Sequence, residues 1–118
     1  MKLIHSILIL TAVLFLTARC NMGKIQEQSN QQFGDQHFKT AIALIELHKT
    51  RFGEYPPTLD SVKYEGAWDQ MALSSVEYEK LDTGYVLNLI NGWIGKPKHL
   101  KYPKDFWEGL GLVRSNMK

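Results

Sequence analysis

The side chains able to do chemistry are few, and most stand apart from one another. The four histidines are His5, His37, His48 and His99. No zinc-type spacing and no HExxH pair occurs among them. His37 and His48 fall on one expected helix, about 16 Å apart at roughly 1.5 Å per residue, which is too far to share a metal ion. Glu77, Glu79 and Asp82 form an acidic cluster. Paired carboxylates of this kind bind calcium or cleave glycosidic bonds. Here the two glutamates alternate along an expected strand and read more simply as its solvent face. Asp60-Ser61 adjoins a proline turn, but no histidine is placed by sequence to activate the serine, so Asp60 reads as a turn or capping residue. Gly109-x-Gly111 lacks the strand-to-helix setting of a nucleotide site. No catalytic residue, metal site or cofactor is expected.

The remaining reactive group is Cys20, the single cysteine. It follows Met1-Lys2, an apolar run from Ile7 to Leu16, and the small residues Thr17-Ala18. A charged start, an apolar middle and small residues make an export signal. The apolar stretch is about 10 residues, short of the roughly 20 needed to span a bilayer. Leu16-Thr17-Ala18-Arg19-Cys20 resembles the end of bacterial lipoprotein signal peptides, in which the cysteine is lipidated. It departs at Arg19, where that pattern has a small residue. Lipidation at Cys20 is the favoured expectation, ahead of plain cleavage after Ala18 and of an uncleaved anchor. It also accounts for a lone cysteine in an exported chain. The expected location is therefore the bacterial cell envelope, membrane-anchored as a lipoprotein, with a periplasmic or secreted protein as the alternative.

Residues 1–19 are thus read as a signal peptide, 20–34 as a flexible tether, whose glutamines alternatively extend the next helix backward, and 35–118 as the folded domain. Two of the 14 Lys and Arg, Lys2 and Arg19, lie in the signal, leaving 12 against 12 Asp and Glu. That balance removes the electrostatic basis of nucleic-acid binding. The cations are concentrated late: from Lys96 onward there are 6 against 2 acidic residues. The simplest account is a tail folded back on an acidic body.

Within the domain the apolar pattern dictates the elements. Phe38, Ala41, Ile42, Ile45 and Phe52 recur at helical spacing. Asp35 can cap that helix, Lys49 and Arg51 suit its C-terminal dipole, Gly53 suits a left-handed end, and Pro56-Pro57 forbid continuation. Residues 63–74 read as a loop whose Trp68 and Leu73 touch the core. Val76 and Tyr78 alternate with glutamates, a half-buried strand. Asp82-Thr83-Gly84 is a turn. Tyr85 to Ile90 is a central strand, Asn91-Gly92 signals a hairpin, and Trp93-Ile94 begin its return strand. Residues 105–113 close the domain with a turn and a short strand. The expected core is Phe38, Ile42, Ile45, Phe52, Leu59, Val86 and Leu89.

The stretch Leu47-His48-Lys49-Thr50-Arg51-Phe52-Gly53-Glu54-Tyr55-Pro56-Pro57-Thr58-Leu59 carries a family resemblance. It is similar to the globular region of type IV pilins and type II secretion pseudopilins, where a long helix ends in a Gly-x-Tyr-Pro-x-x-Leu turn. The resemblance implies an α+β fold, one long N-terminal helix packed on a small antiparallel sheet. It does not extend to the processing motif of those families: Leu44-Ile45-Glu46 echoes its end but lies inside the amphipathic helix, without the preceding Gly. The resemblance therefore speaks for fold and not for filament formation.

Together these features point to a non-enzymatic, membrane-tethered envelope protein serving as a small protein-interaction domain. A small cell-wall or secreted-substrate hydrolase, or an inhibitor of one, is the alternative. The expected partners are an unidentified envelope protein and the membrane, through lipid on Cys20. The interaction surface is expected between Trp93 and Trp107, where Trp93, Lys98, Lys101, Tyr102 and Trp107 combine aromatic anchors with steering charge. The competing account makes these aromatics caps on the core.

Overall fold

The computed structural model describes the backbone of residues 2–118 and the side chains of residues 4–11 and 23–118. Cys20 and Arg19, on which the expectation of lipidation turns, have side chains outside the described residues. Among the described residues, no helix is long and apolar enough to cross a membrane.

Helix α1 runs from Lys2 to Phe52 without a break. At about 1.5 Å per residue its 51 residues account for the molecule's 76 Å long dimension. The stretch expected as a tether, 20–34, is helical throughout. Its glutamines are good helix formers, and it contains no proline. Its polar character misleads because part of its packing is polar: Asn30 is buried and bonds the backbone of a later loop. The C-terminal end matches expectation. Gly53 takes φ 81°, a left-handed cap, and its N–H donates to Lys49 O at 2.7 Å.

Residues 66–74 are not a loop. They form helix α2, Gly66–Ser74, packed across α1. Its starting N–H, on Glu65, donates to the Asp69 carboxylate at 3.2 Å. Nine residues are too few for apolar periodicity to stand out, and a helix this short is marginal without tertiary support. Burial of Ala72 against its surroundings supplies that support.

Strand β1, Val76–Leu81, pairs antiparallel with β2, Gly84–Leu89, from Val76 opposite Leu89 to Leu81 opposite Gly84. Strand β3, Leu112–Arg114, joins the other side of β2 in parallel. The fold is α+β, as expected, but the sheet is mixed rather than wholly antiparallel, in the order β1-β2-β3. The expected return strand at Trp93-Ile94 is replaced by a tight loop, in which Gly92 N–H donates to Gly95 O at 2.8 Å. A two-residue Asn-Gly hairpin needs positive φ at both positions. Neither Asn91 nor Gly92 adopts it. The ladder of β2 ends instead on a side chain. Asn116 accepts from Leu89 N–H and donates to Leu89 O, both at 2.9 Å.

The core lies between the second half of α1 and one face of the sheet. Phe38, Ala41, Ile42 and Ile45 meet Val76, Tyr85, Leu87, Leu89 and Leu112. In β2 the inward set is Tyr85, Leu87 and Leu89, so Val86 points away and is only half-buried. A one-residue shift of parity reverses every face assignment in a strand. Leu59 is also half-buried. Phe52 is 54% exposed, contrary to expectation. It stands in the final turn of α1, where its ring lies 4.7 Å from that of His48 rather than against the sheet.

Candidate functional site

Two polar side chains on α1 organise the space around them in different ways. The first is Glu46. Its carboxylate accepts from the Tyr55 hydroxyl at 2.9 and 3.0 Å, from Tyr85 at 3.3 Å and from Gly111 N–H at 2.8 Å. Burial, then the bond to Glu46, pushes the Tyr55 hydroxyl up to about 12. Burial, then the Glu46 charge, does the same for Tyr78. Tyr85 is raised by the same two causes in the same order. These phenols stay protonated at ordinary pH, so none serves as a base. Packing is close on the Gly111 side, where any Cβ would overlap the Tyr55 ring and hydroxyl, while Glu46 and Tyr55 border an open hollow of about 510 Å³ with Lys49 and Thr50. Glu46 is thus a fastener between α1, the turn after it and the approach to β3.

The second is His37. It is 1% exposed and forms a three-ring cluster with Phe33, 6.2 Å away on α1, and Trp68, 4.9 Å away on α2, which are 6.0 Å from each other. Its Nδ1 is buried without a hydrogen-bond partner. Burial lowers its pKa from the ordinary histidine value. Above it opens a groove of about 490 Å³, with Phe33 and His37 along one side, Gln70, Met71 and Ser74 along another, and Trp93 at the loop. Met71 and Trp93 are each 51% exposed. No side chain lining the groove is a carboxylate, lysine or arginine. An exposed apolar hollow with a few neutral polar groups suits a side chain or small apolar group from a partner.

Asn30 positions the Trp93 loop. Its Oδ1 accepts from Trp93 N–H at 3.0 Å and Ile94 N–H at 2.6 Å, and its Nδ2 donates to Ile94 O at 2.9 Å. Gly92 lies so close to the Asn30 backbone that a Cβ there would overlap it. The loop is therefore moored to α1 by one side chain and one close approach.

The five residues expected to form an interaction surface divide in this structure. Trp93 belongs to the groove. Tyr102 stacks on Phe38 at 5.6 Å and on Phe106 at 4.2 Å, and Trp107 meets Phe38 edge-on at 6.1 Å. Both aromatics pack against the core, on the side of α1 that carries Asp35 and Lys39. Lys98 and Lys101 are exposed. The basic segment touches an acidic residue of α1 through His99, whose Nε2 lies 3.2 Å from Glu27.

The remaining reactive candidates do not converge. Asp60 and Ser61 are exposed, as are Glu77, Glu79 and Asp82. The hollow beside His48 has a volume of only about 10 Å³. Among the described residues, no three His, Cys, Asp or Glu are grouped to hold a metal ion.

Of the groove residues only Trp93 was expected at a site; Phe33, His37, Gln70 and Met71 are among those that sequence reasoning missed. Phe33 and His37 are four apart, a helical spacing that continues to Ala41. That spacing was the available signal, hidden by the polar residues around it. Comparison with protein-family models, with curated proteins and with solved structures finds no match.

Proposed function

We propose that this chain is a non-enzymatic envelope protein, tethered to a membrane through lipid on Cys20, whose folded part binds another protein. The observation that carries the binding role is the exposed groove between α1 and α2, with Phe33, Met71 and Trp93 at its rim and no ionised side chain in its lining. Aromatic and methionine side chains around a depression are what interface centres use, because they desolvate at small cost and fill pockets. The pilin-like resemblance of residues 47–59 is supported by the long helix on a small sheet. Lys98 and Lys101, on the loop that follows Trp93, are placed in sequence to steer an acidic partner toward the groove.

The test has two parts. A photo-crosslinking residue at position 93 should trap a discrete partner in intact cells, and Met71→Glu should abolish that adduct while leaving the thermal unfolding of the protein unchanged. An adduct that persists undiminished in the folded Met71→Glu protein overturns the groove as the interface. For the tether, labelled palmitate should be incorporated into the parent and not into Cys20→Ala. A Cys20→Ala protein that stays membrane-bound and unchanged in size overturns lipidation.

A further inference from the structure

His37 is the one feature of the groove that binding does not explain. An imidazole clustered with two aromatic rings could be replaced by an apolar side chain at a gain in packing. Instead α1 buries a group whose Nδ1 finds no partner. A neutral imidazole tolerates this, since an unpaired ring nitrogen costs little beside an unpaired charge. A protonated imidazole does not. Both nitrogens then become donors, and the ring carries a full charge in an interface that offers no acceptor at Nδ1.

Among the described residues, no ionised side chain is placed to offset that charge. One turn away on α1 stand Phe33, Gly34, Thr40 and Ala41, all uncharged. The nearest charged residues on α1, Asp35 and Lys39, are 3.1 Å apart in an ion pair beside Tyr102. Asp69, the only charged residue of α2, accepts from Glu65 N–H at that helix's start. From the loop come Asn91 and Trp93, both neutral. The Phe33 and Trp68 rings would attract the cation, but neutral rings return less than the lost hydration.

We propose that His37 is a proton-operated latch: its protonation releases α2 from α1 and so dismantles one wall of the groove. Three observations fit together. Helix α2 has nine residues and depends on packing for its existence. That packing includes Trp68 over the His37 ring. And α2 supplies Gln70, Met71 and Ser74 to the groove. The direction of linkage follows from burial. The folded protein binds a proton at His37 less readily than the unfolded chain, so the contact is intact above the ordinary histidine pKa of 6.5 and weakens as pH falls below it. The proton is the ligand, and acidification is the signal that a domain exposed outside the cell would meet.

The effect on partner binding rests on the groove being the interface, but the latch is tested without a partner. Amide hydrogen exchange of the full chain is compared between about pH 7.5 and pH 5, the window in which histidine changes charge, after correction for intrinsic rates. Amides of residues 66–74 should open roughly tenfold more often at the lower pH. Those of Tyr85 to Leu89 should hold. His37→Phe should abolish the change, and His48→Gln should leave it in place. Should His37→Phe fail to fold, the His37 ring protons are titrated by NMR in the parent. An unaltered α2 response in folded His37→Phe, a parent with no pH response, or a His37 midpoint at or above 6.5 overturns the latch. A latch that works while crosslinking from position 93 fails would leave the proton switch standing and remove the groove as its output.

Discussion

Glu46 and His37 lie nine residues apart on the same helix and have opposite fates. Glu46 is met by two tyrosine hydroxyls and a backbone N–H. His37 is enclosed by aromatic rings and left with an orphan nitrogen. A satisfied polar group in a partly buried setting ties elements together, while a buried unsatisfied one leaves its interface open to perturbation. The Glu46 end joins α1 to the sheet through the turn at Tyr55 and the approach to β3. The His37 side chain itself faces a short helix and a loop. The difference predicts a rigid end and a responsive end in one small domain.

The comparison breaks most visibly at Glu46. Glu46→Ala strands the Tyr55 and Tyr85 hydroxyls and the Gly111 N–H, at a cost of about 3 kcal/mol. Urea unfolding should show this as a lower midpoint with little change in slope. A loss below about 1 kcal/mol would mean the cluster holds nothing together.

Alkali probes the same end. The folded pKa values of Tyr55 and Tyr78 are raised from 10.0 to about 12, so the stability linked to them is complete below pH 10 and is lost as pH rises toward 12. Tyrosine absorbance and circular dichroism should change together across that interval. Tyrosine ionisation centred near 10 in the still-folded protein would contradict the tight cluster.

At the responsive end, Asn30→Ala removes three hydrogen bonds to the Trp93 loop and should cost about 2 kcal/mol. Beyond lowering stability, it should speed amide exchange at Trp93 and Ile94 first, because those N–H groups lose their acceptor. Equal acceleration throughout β2 would mean the loop and sheet open as one unit.

The smallest effect is expected at Phe52. With its ring 54% exposed, Phe52→Ala should cost less than about 1 kcal/mol, whereas Phe38→Ala, fully buried, should cost about 3 to 5 kcal/mol. Thermal unfolding of the two variants side by side checks whether the core ends where the sheet ends.

Much of the frame was legible before any coordinates. Gly53 and the two prolines located the end of α1, because a left-handed cap and a missing donor act locally. Val76, Tyr78 and the Asp82-Thr83-Gly84 turn located the β1–β2 hairpin for the same reason. Even Tyr102 and Trp107 were legible as core caps, the competing account of that segment. What escaped were features set by distant partners. Helix α2 hid in a nine-residue segment whose stability comes from α1. The polar residues around Asn30 suggested a tether because their partners are backbone groups more than sixty residues away.

By itself the sequence determined the α+β class, the end of the long helix and the first hairpin, all of which depend on neighbours along the chain. Tertiary structure alone decided that β3 runs parallel to β2, that Asn91-Gly92 bends without a hairpin, and that Trp93 parts company with Tyr102 and Trp107. It also decided that Glu46 is bonded and His37 is not. Whether a buried polar atom finds a partner depends on which remote backbone or hydroxyl group arrives beside it, and periodicity, propensity and spacing carry no record of that arrival.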